Sequence, residues 1–250
     1  MKRLVRAAAV TASIVAGGSA AEACGTGELL FSDTFDTMTK TWGQPDEFMK
    51  VEGGQLVINE KDGNFYVATS GPTYRDVDFC ATFKPTDSSD PASSYAGVTF
   101  WGQDVDHFYT FQMTVDGYAT VYQYTGEWKS IIDDTAVSSI KQGVGAENEL
   151  RVVTKGDTAT LYINGERFNS ITGVMPNDGQ HLGFTVEAPE KGKVTSAIDN
   201  AEVRTPAANA DNSGGGQDKS PASQGGGGGA NQGGDGSGPS IKPGGSSGPQ

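Results

Sequence analysis

The stretch Asn148-Glu149-Leu150-Arg151-Val152-Val153-Thr154-Lys155-Gly156-Asp157-Thr158-Ala159-Thr160-Leu161-Tyr162-Ile163-Asn164-Gly165-Glu166 reads as strand, tight turn, strand, tight turn. Ala159, Leu161 and Ile163 alternate with polar or amphipathic neighbours, the period-2 pattern of a half-buried strand. Asn164-Gly165 accepts the positive φ values of a two-residue hairpin turn, so a further strand is expected from Glu166. The same alternation recurs outward from this stretch. Val77, Phe79, Ala81 and Phe83 repeat it, as do Tyr109, Phe111 and Met113, and Leu182, Phe184 and Val186. Turn signals at Gly53-Gly54, Asp62-Gly63, Asp116-Gly117 and Thr125-Gly126 separate these runs, and no long amphipathic helix interrupts them. Many short strands between glycine-rich turns predict an all-β fold, an antiparallel β-sandwich.

The ends read differently. Met1-Lys2-Arg3, a short apolar run and Ala21-Glu22-Ala23 before Cys24 have the pattern of a secretory signal peptide over 1–23. The apolar run is too short for a stable membrane span. The expected location is therefore secreted or periplasmic. Beyond Pro206 the composition changes: residues 206–250 hold 15 of the 36 glycines, and Ile241 is their only large aliphatic residue. Such a segment lacks the apolar surface to fold and is expected to be a disordered Gly/Ser/Pro-rich tail. One domain is thus expected over 24–205.

Two cysteines, Cys24 and Cys80, are an even count, which in an oxidising compartment predicts one disulfide. The alternative is a lipid anchor on Cys24, against which Glu22 and the lack of a Leu at position 21 both count. The chain carries 31 Asp and Glu against 18 Lys and Arg, a net charge of −13. That charge repels nucleic acid and anionic lipid, and excludes both as expected partners.

Several motifs share an order as well as a pattern. They run Phe31-Ser32-Asp33-Thr34-Phe35 with Trp42, then Gly54-Gln55-Leu56-Val57-Ile58, Asp76-Val77-Asp78-Phe79 and Ala96-Gly97-Val98-Thr99-Phe100-Trp101. Asp106-His107-Phe108-Tyr109, the 148–166 hairpins, His181-Leu182-Gly183-Phe184 and Ile198-Asp199-Asn200-Ala201-Glu202-Val203 follow. Over residues 28–204 this series resembles the concanavalin A-like lectin/glucanase superfamily, and within it the laminin-G-like and 3-keto-disaccharide-hydrolase-type domains of bacterial secreted proteins. The resemblance implies a concanavalin A-like jelly roll. It leaves the function open among lectins, glycosidases, adhesion modules and structural domains.

For a retaining glycosidase of that kind the resemblance implies paired carboxylates on one strand, Glu-x-Asp-x-x-Glu, and no such string occurs. Glu187 and Glu190 flank Pro189 in an expected loop, Asp104 and Asp106 sit in an expected turn, and Asp133-Asp134 reads as a strand end. His107 and His181, the only histidines, read as hydrogen-bonded strand residues. Catalysis is therefore not the leading expectation, and a glycoside hydrolase is the alternative. A carbohydrate-binding module needs flat rings to stack on sugars, with amides and carboxylates to bond hydroxyls. Trp101 with Tyr109, Gln112, Tyr122 and Gln123 is the expected groove, although strand parity allows only some of these to share a face. The resemblance further implies one structural Ca²⁺ where the first and last strands meet, and Asp33 and Asp199 match those positions in residue type. The expected partner is a glycan or another extracellular or envelope component. A structural or adhesion module that binds protein is the third possibility.

Overall fold

The hairpins at 148–166 form as their residues dictate. In the computed structural model, which describes residues 24–207, β10 (Asn148–Lys155), β11 (Thr158–Ile163) and β12 (Glu166–Thr172) are consecutive antiparallel neighbours. Ile163 pairs with Glu166 across a two-residue turn in which Asn164 and Gly165 take φ values of 51° and 80°. Such values suit this residue pair and twist the turn to match its strands. Asn164 also donates from Nδ2 to Asn148 Oδ1 and to the Ser139 carbonyl, fixing the hairpin to the segment before β10. The leader read over 1–23 and nearly all of the tail read over 206–250 lie outside the described residues.

Eleven further strands complete two antiparallel sheets. They are β1 (Leu29–Asp33), β2 (Met49–Glu52), β3 (Gln55–Lys61), β4 (Phe65–Thr69), β5 (Val77–Ser88), β6 (Tyr95–Asp104), β7 (His107–Thr114), β8 (Tyr118–Thr125), β9 (Trp128–Ala136), β13 (His181–Glu187) and β14 (Lys193–Arg204). One sheet runs β12-β11-β10-β5-β14-β3-β2, and β1 joins it beside the last residues of β14. The other runs β4-β13-β6-β7-β8-β9. The alternating apolar residues of both sheets meet in one core, with the Phe184 ring at its centre against Phe35, Trp42, Phe79 and Phe83. The architecture is the antiparallel β-sandwich that the alternation predicts.

Cys24 is bonded to Cys80, with Cα atoms 5.6 Å apart. The Cys24 thiol is thereby used, and none is left there to carry a lipid. The bond holds the segment before β1 across the outer face of the larger sheet. Gly25 fits there because a Cβ would overlap the Asp78 carboxylate. Beneath it, Asp78 accepts two hydrogen bonds from Arg151, from Nε at 2.6 Å and from Nη2 at 2.7 Å. The Arg151 guanidinium also stands 4.8 Å from the centre of the Tyr162 ring. Among the described residues no helix is long and apolar enough to cross a membrane.

Candidate functional site

The six-stranded sheet has two faces, and strand parity sorts them. On β7, Tyr109, Phe111 and Met113 enter the core. Phe108, Thr110, Gln112 and Thr114 therefore point to the opposite, outer face. Register places Thr99, Thr120, Tyr122, Tyr124 and Thr185 on that face as well. A solvent-facing sheet surface would leave these residues open, yet Thr99, Thr110, Gln112, Thr120 and Thr185 are all buried.

A layer of rings covers them. Phe65, at the start of edge strand β4, lies 5.2 Å from Trp128 and 5.6 Å from Tyr124, which belong to β9 and β8 at the other side of the sheet. Trp128 further meets Tyr122 at 5.9 Å and Phe108 at 6.0 Å. Strand twist accounts for the meeting: in a twisted sheet two diagonal corners curl toward each other over one face, which makes that face concave. The rings close over a floor of hydroxyls and one amide.

Three polar atoms in this layer are buried without a hydrogen-bond partner: Gln112 Nε2, Thr185 Oγ1 and Trp128 Nε1. Gln112 Oε1 accepts from the Thr110 hydroxyl at 3.2 Å. Its amide also lies near enough to Glu187 to oppose the rise in that carboxyl's pKa, although Nε2 makes no hydrogen bond of good geometry. Burial pushes Glu187 up to about 7, and the Asp134 charge adds to the rise. The Tyr95 hydroxyl donates to Asp134 Oδ2 at 3.0 Å. Burial raises the Tyr95 and Tyr122 hydroxyls, and Asp134 and Glu187 both act on them electrostatically. Tyr95, Tyr122, Asp134, Glu187 and Gln112 thus form one cluster at the side of the ring layer. It joins half-buried aromatic surface to carboxyls and an amide that bond hydroxyl groups.

The structure divides the residues expected to form a groove. Gln112 and Tyr122 share the concave face. Tyr109, 6% exposed, and Gln123, its register partner, lie on the other side of the sheet. Trp101 is 2% exposed and packs in the core between Phe100, Tyr109 and Gly173, where a Cβ on Gly173 would overlap its ring. Plain alternation would set Trp101 opposite Phe100. The register of β6 shifts after Phe100, however, and Trp101 takes a φ of 47°, with its N–H donating to Gln180 Oε1 at 2.9 Å. This bulge turns both rings inward. Tyr95, Asp134 and Glu187 are the cluster members outside the expected set, as are Trp128 and Thr185 of the adjoining ring layer and floor. Part of the signal was present: Gly183, Thr185 and Glu187 form the polar register of β13, opposite Leu182, Phe184 and Val186.

The two histidines behave as strand and turn residues. His107 pairs through Nδ1 with Asp104 at 2.8 Å in the β6–β7 turn, and His181 Nδ1 donates to the Ser70 carbonyl at 2.8 Å. Asp33 is buried, and its carboxylate serves the protein. Oδ1 accepts the Phe35 N–H at 2.8 Å, and Oδ2 accepts the Thr39 hydroxyl and Trp42 Nε1–H, each at 3.0 Å. Asp199 Oδ1 accepts the Asn200 N–H. Calcium takes six to eight oxygens. Among the described residues no three His, Cys, Asp or Glu side chains converge on a metal position.

No family model matches this chain, and no curated protein does. Solved structures do match. The endo-1,3-beta-glucanase (laminarinase) catalytic domain of Thermotoga petrophila RKU-1 superposes with a TM-score of 0.52 at 11% identity, covering 71% of this chain and 97% of that one. The fold is the concanavalin A-like jelly roll. The beta-glucanase of Bacillus licheniformis matches at TM-score 0.52 and 10% identity, over 73% of this chain and 100% of its own. The carbohydrate-binding module CBM66 of Bacillus subtilis matches at TM-score 0.49 and 14% identity, over 60% of this chain and 86% of its own. The jelly roll here thus has two glucanases among its structural neighbours.

Proposed function

We propose that this is a secreted, non-catalytic jelly-roll module that binds carbohydrate on the concave face, at Tyr95, Gln112, Tyr122, Asp134 and Glu187. The observation that carries the reading is the pair of half-buried rings Tyr95 and Tyr122 beside the exposed Asp134 carboxylate, which accepts the Tyr95 hydroxyl at 3.0 Å. Sugar hydroxyls both donate and accept, and the ring faces of Tyr95 and Tyr122 suit the C–H surface of a pyranose. The disulfide fits an oxidising compartment outside the cytoplasm.

A glycan screen of the full chain tests this. The wild-type protein is expected to bind, Tyr122→Ala to lose at least about tenfold in affinity, and Gln112→Ala to lose a comparable amount. Unchanged binding by both folded variants would place the site elsewhere.

The second reading is a glycoside hydrolase. Glu187, held at about 7 beside the Asp134 carboxyl, has the tuning of a general acid. Release of reducing sugar by the wild type, lost in Glu187→Gln, would favour it over the binding module.

A further inference from the structure

The ring layer constrains what a ligand can be. Phe65 on β4 meets Trp128 and Tyr124 across the concave face, at 5.2 and 5.6 Å. These distances are full van der Waals contact between rings, so the face is bridged from one edge strand to the far side of the sheet. A long polymer lying along an open cleft needs an unobstructed path past the strands, and the bridge crosses that path. The floor beneath the rings, Gln112 and Thr185, is wholly buried, so no chain passes under them. Beside the rings, Tyr95 is half-buried and Asp134 exposed, so these two are the parts of the cluster that solvent reaches.

We infer that the site takes the end of a neutral glycan chain, or a short oligosaccharide, and excludes the interior of a long one. The inference rests on the glycan reading above. An acidic glycan is excluded by charge: the Asp134 carboxylate lies at the site, and the protein's net charge of −13 disfavours a polyuronate.

The test titrates the full chain against β-1,3-glucan, mixed-linkage β-glucan and xylan, each as intact polymer and as oligosaccharides of a few units. The bound protein is counted per glycan chain. For whichever glycan binds, about one protein per chain or chain end is expected at every length. Protein bound in proportion to chain length would overturn the inference while leaving the glycan reading intact. Phe65→Ala, at a half-exposed position, removes the bridge and is expected to turn end-limited binding into length-proportional binding. End-limited binding by that variant would overturn the role given to the rings. No binding to any of the three glycans in either form would overturn the glycan reading, and this inference with it.

Discussion

At the scale of single residues, Asp33 shows how one carboxylate decides local structure. It ends β1, accepts the Phe35 N–H in a turn where Phe35 takes a φ of 54°, and supplies the acceptor for Trp42 Nε1–H. Trp42 in turn lies 4.5 Å from the Phe184 ring at the centre of the core. Asp33→Ala would leave the indole N–H buried without a partner, and is expected to cost about 1–3 kcal/mol, read as a lower urea midpoint. A midpoint equal to wild type would show that the Trp42 N–H finds another acceptor. Trp101 marks the limit of residue-by-residue reading. Its parity pointed to the outer face, and the bulge that reversed it depends on Gln180, nearly eighty residues away, which accepts the Trp101 N–H. A bulge held by so remote a partner leaves no trace in the local alternation.

At the scale of elements, strands and hairpins were legible because their causes are local. Alternation sets the buried face of β10, β11 and β13, and Asn164-Gly165 sets a turn. The concave site was legible only in part. Gln112 and Tyr122 could be placed on exposed-type registers of their strands, but the approach of Phe65 to Trp128 comes from twist summed over six strands, which no single segment encodes. The junction of β1 and β14 bears on calcium. Asp33 is committed to protein donors, and the nearby hollow is lined by Ser32, Asp33, Thr34, Asp36 and Thr39 among others. The melting temperature is accordingly expected to be the same in EDTA as in millimolar calcium. A rise of several degrees with calcium would instead place a cation in that hollow.

At the scale of the whole molecule, buried carboxyls set the pH response. Glu60, Glu149 and Glu187 are each pushed up to about 7, in every case chiefly by burial. Their unfolded values are near 4.5, so the folded state holds their protons more tightly. Their contribution to stability is complete below about pH 4.5 and is lost as pH rises through 7. For Glu60 and Glu149, both nearly inaccessible, the loss reaches up to about 3 kcal/mol each. The urea midpoint is expected to fall between pH 5 and pH 8. Glu149→Gln removes a carboxyl whose Oε1 has no partner, so it should match wild type near pH 5 and exceed it at pH 8. A wild-type midpoint that climbs over this window would contradict the assignment.

The Cys24–Cys80 bond closes a separation of 56 residues, worth about 4 kcal/mol by loop entropy. It also decides where tension enters the fold. β1 and the end of β14 are antiparallel neighbours, with Leu29 opposite Arg204, so a pull on both ends would otherwise unzip that pair one hydrogen bond at a time. With the bond intact, force arriving through Cys24 passes to Cys80, inside β5, and β1 carries no load. The β1–β14 seam is then out of the line of pull, and a reductant would return it there.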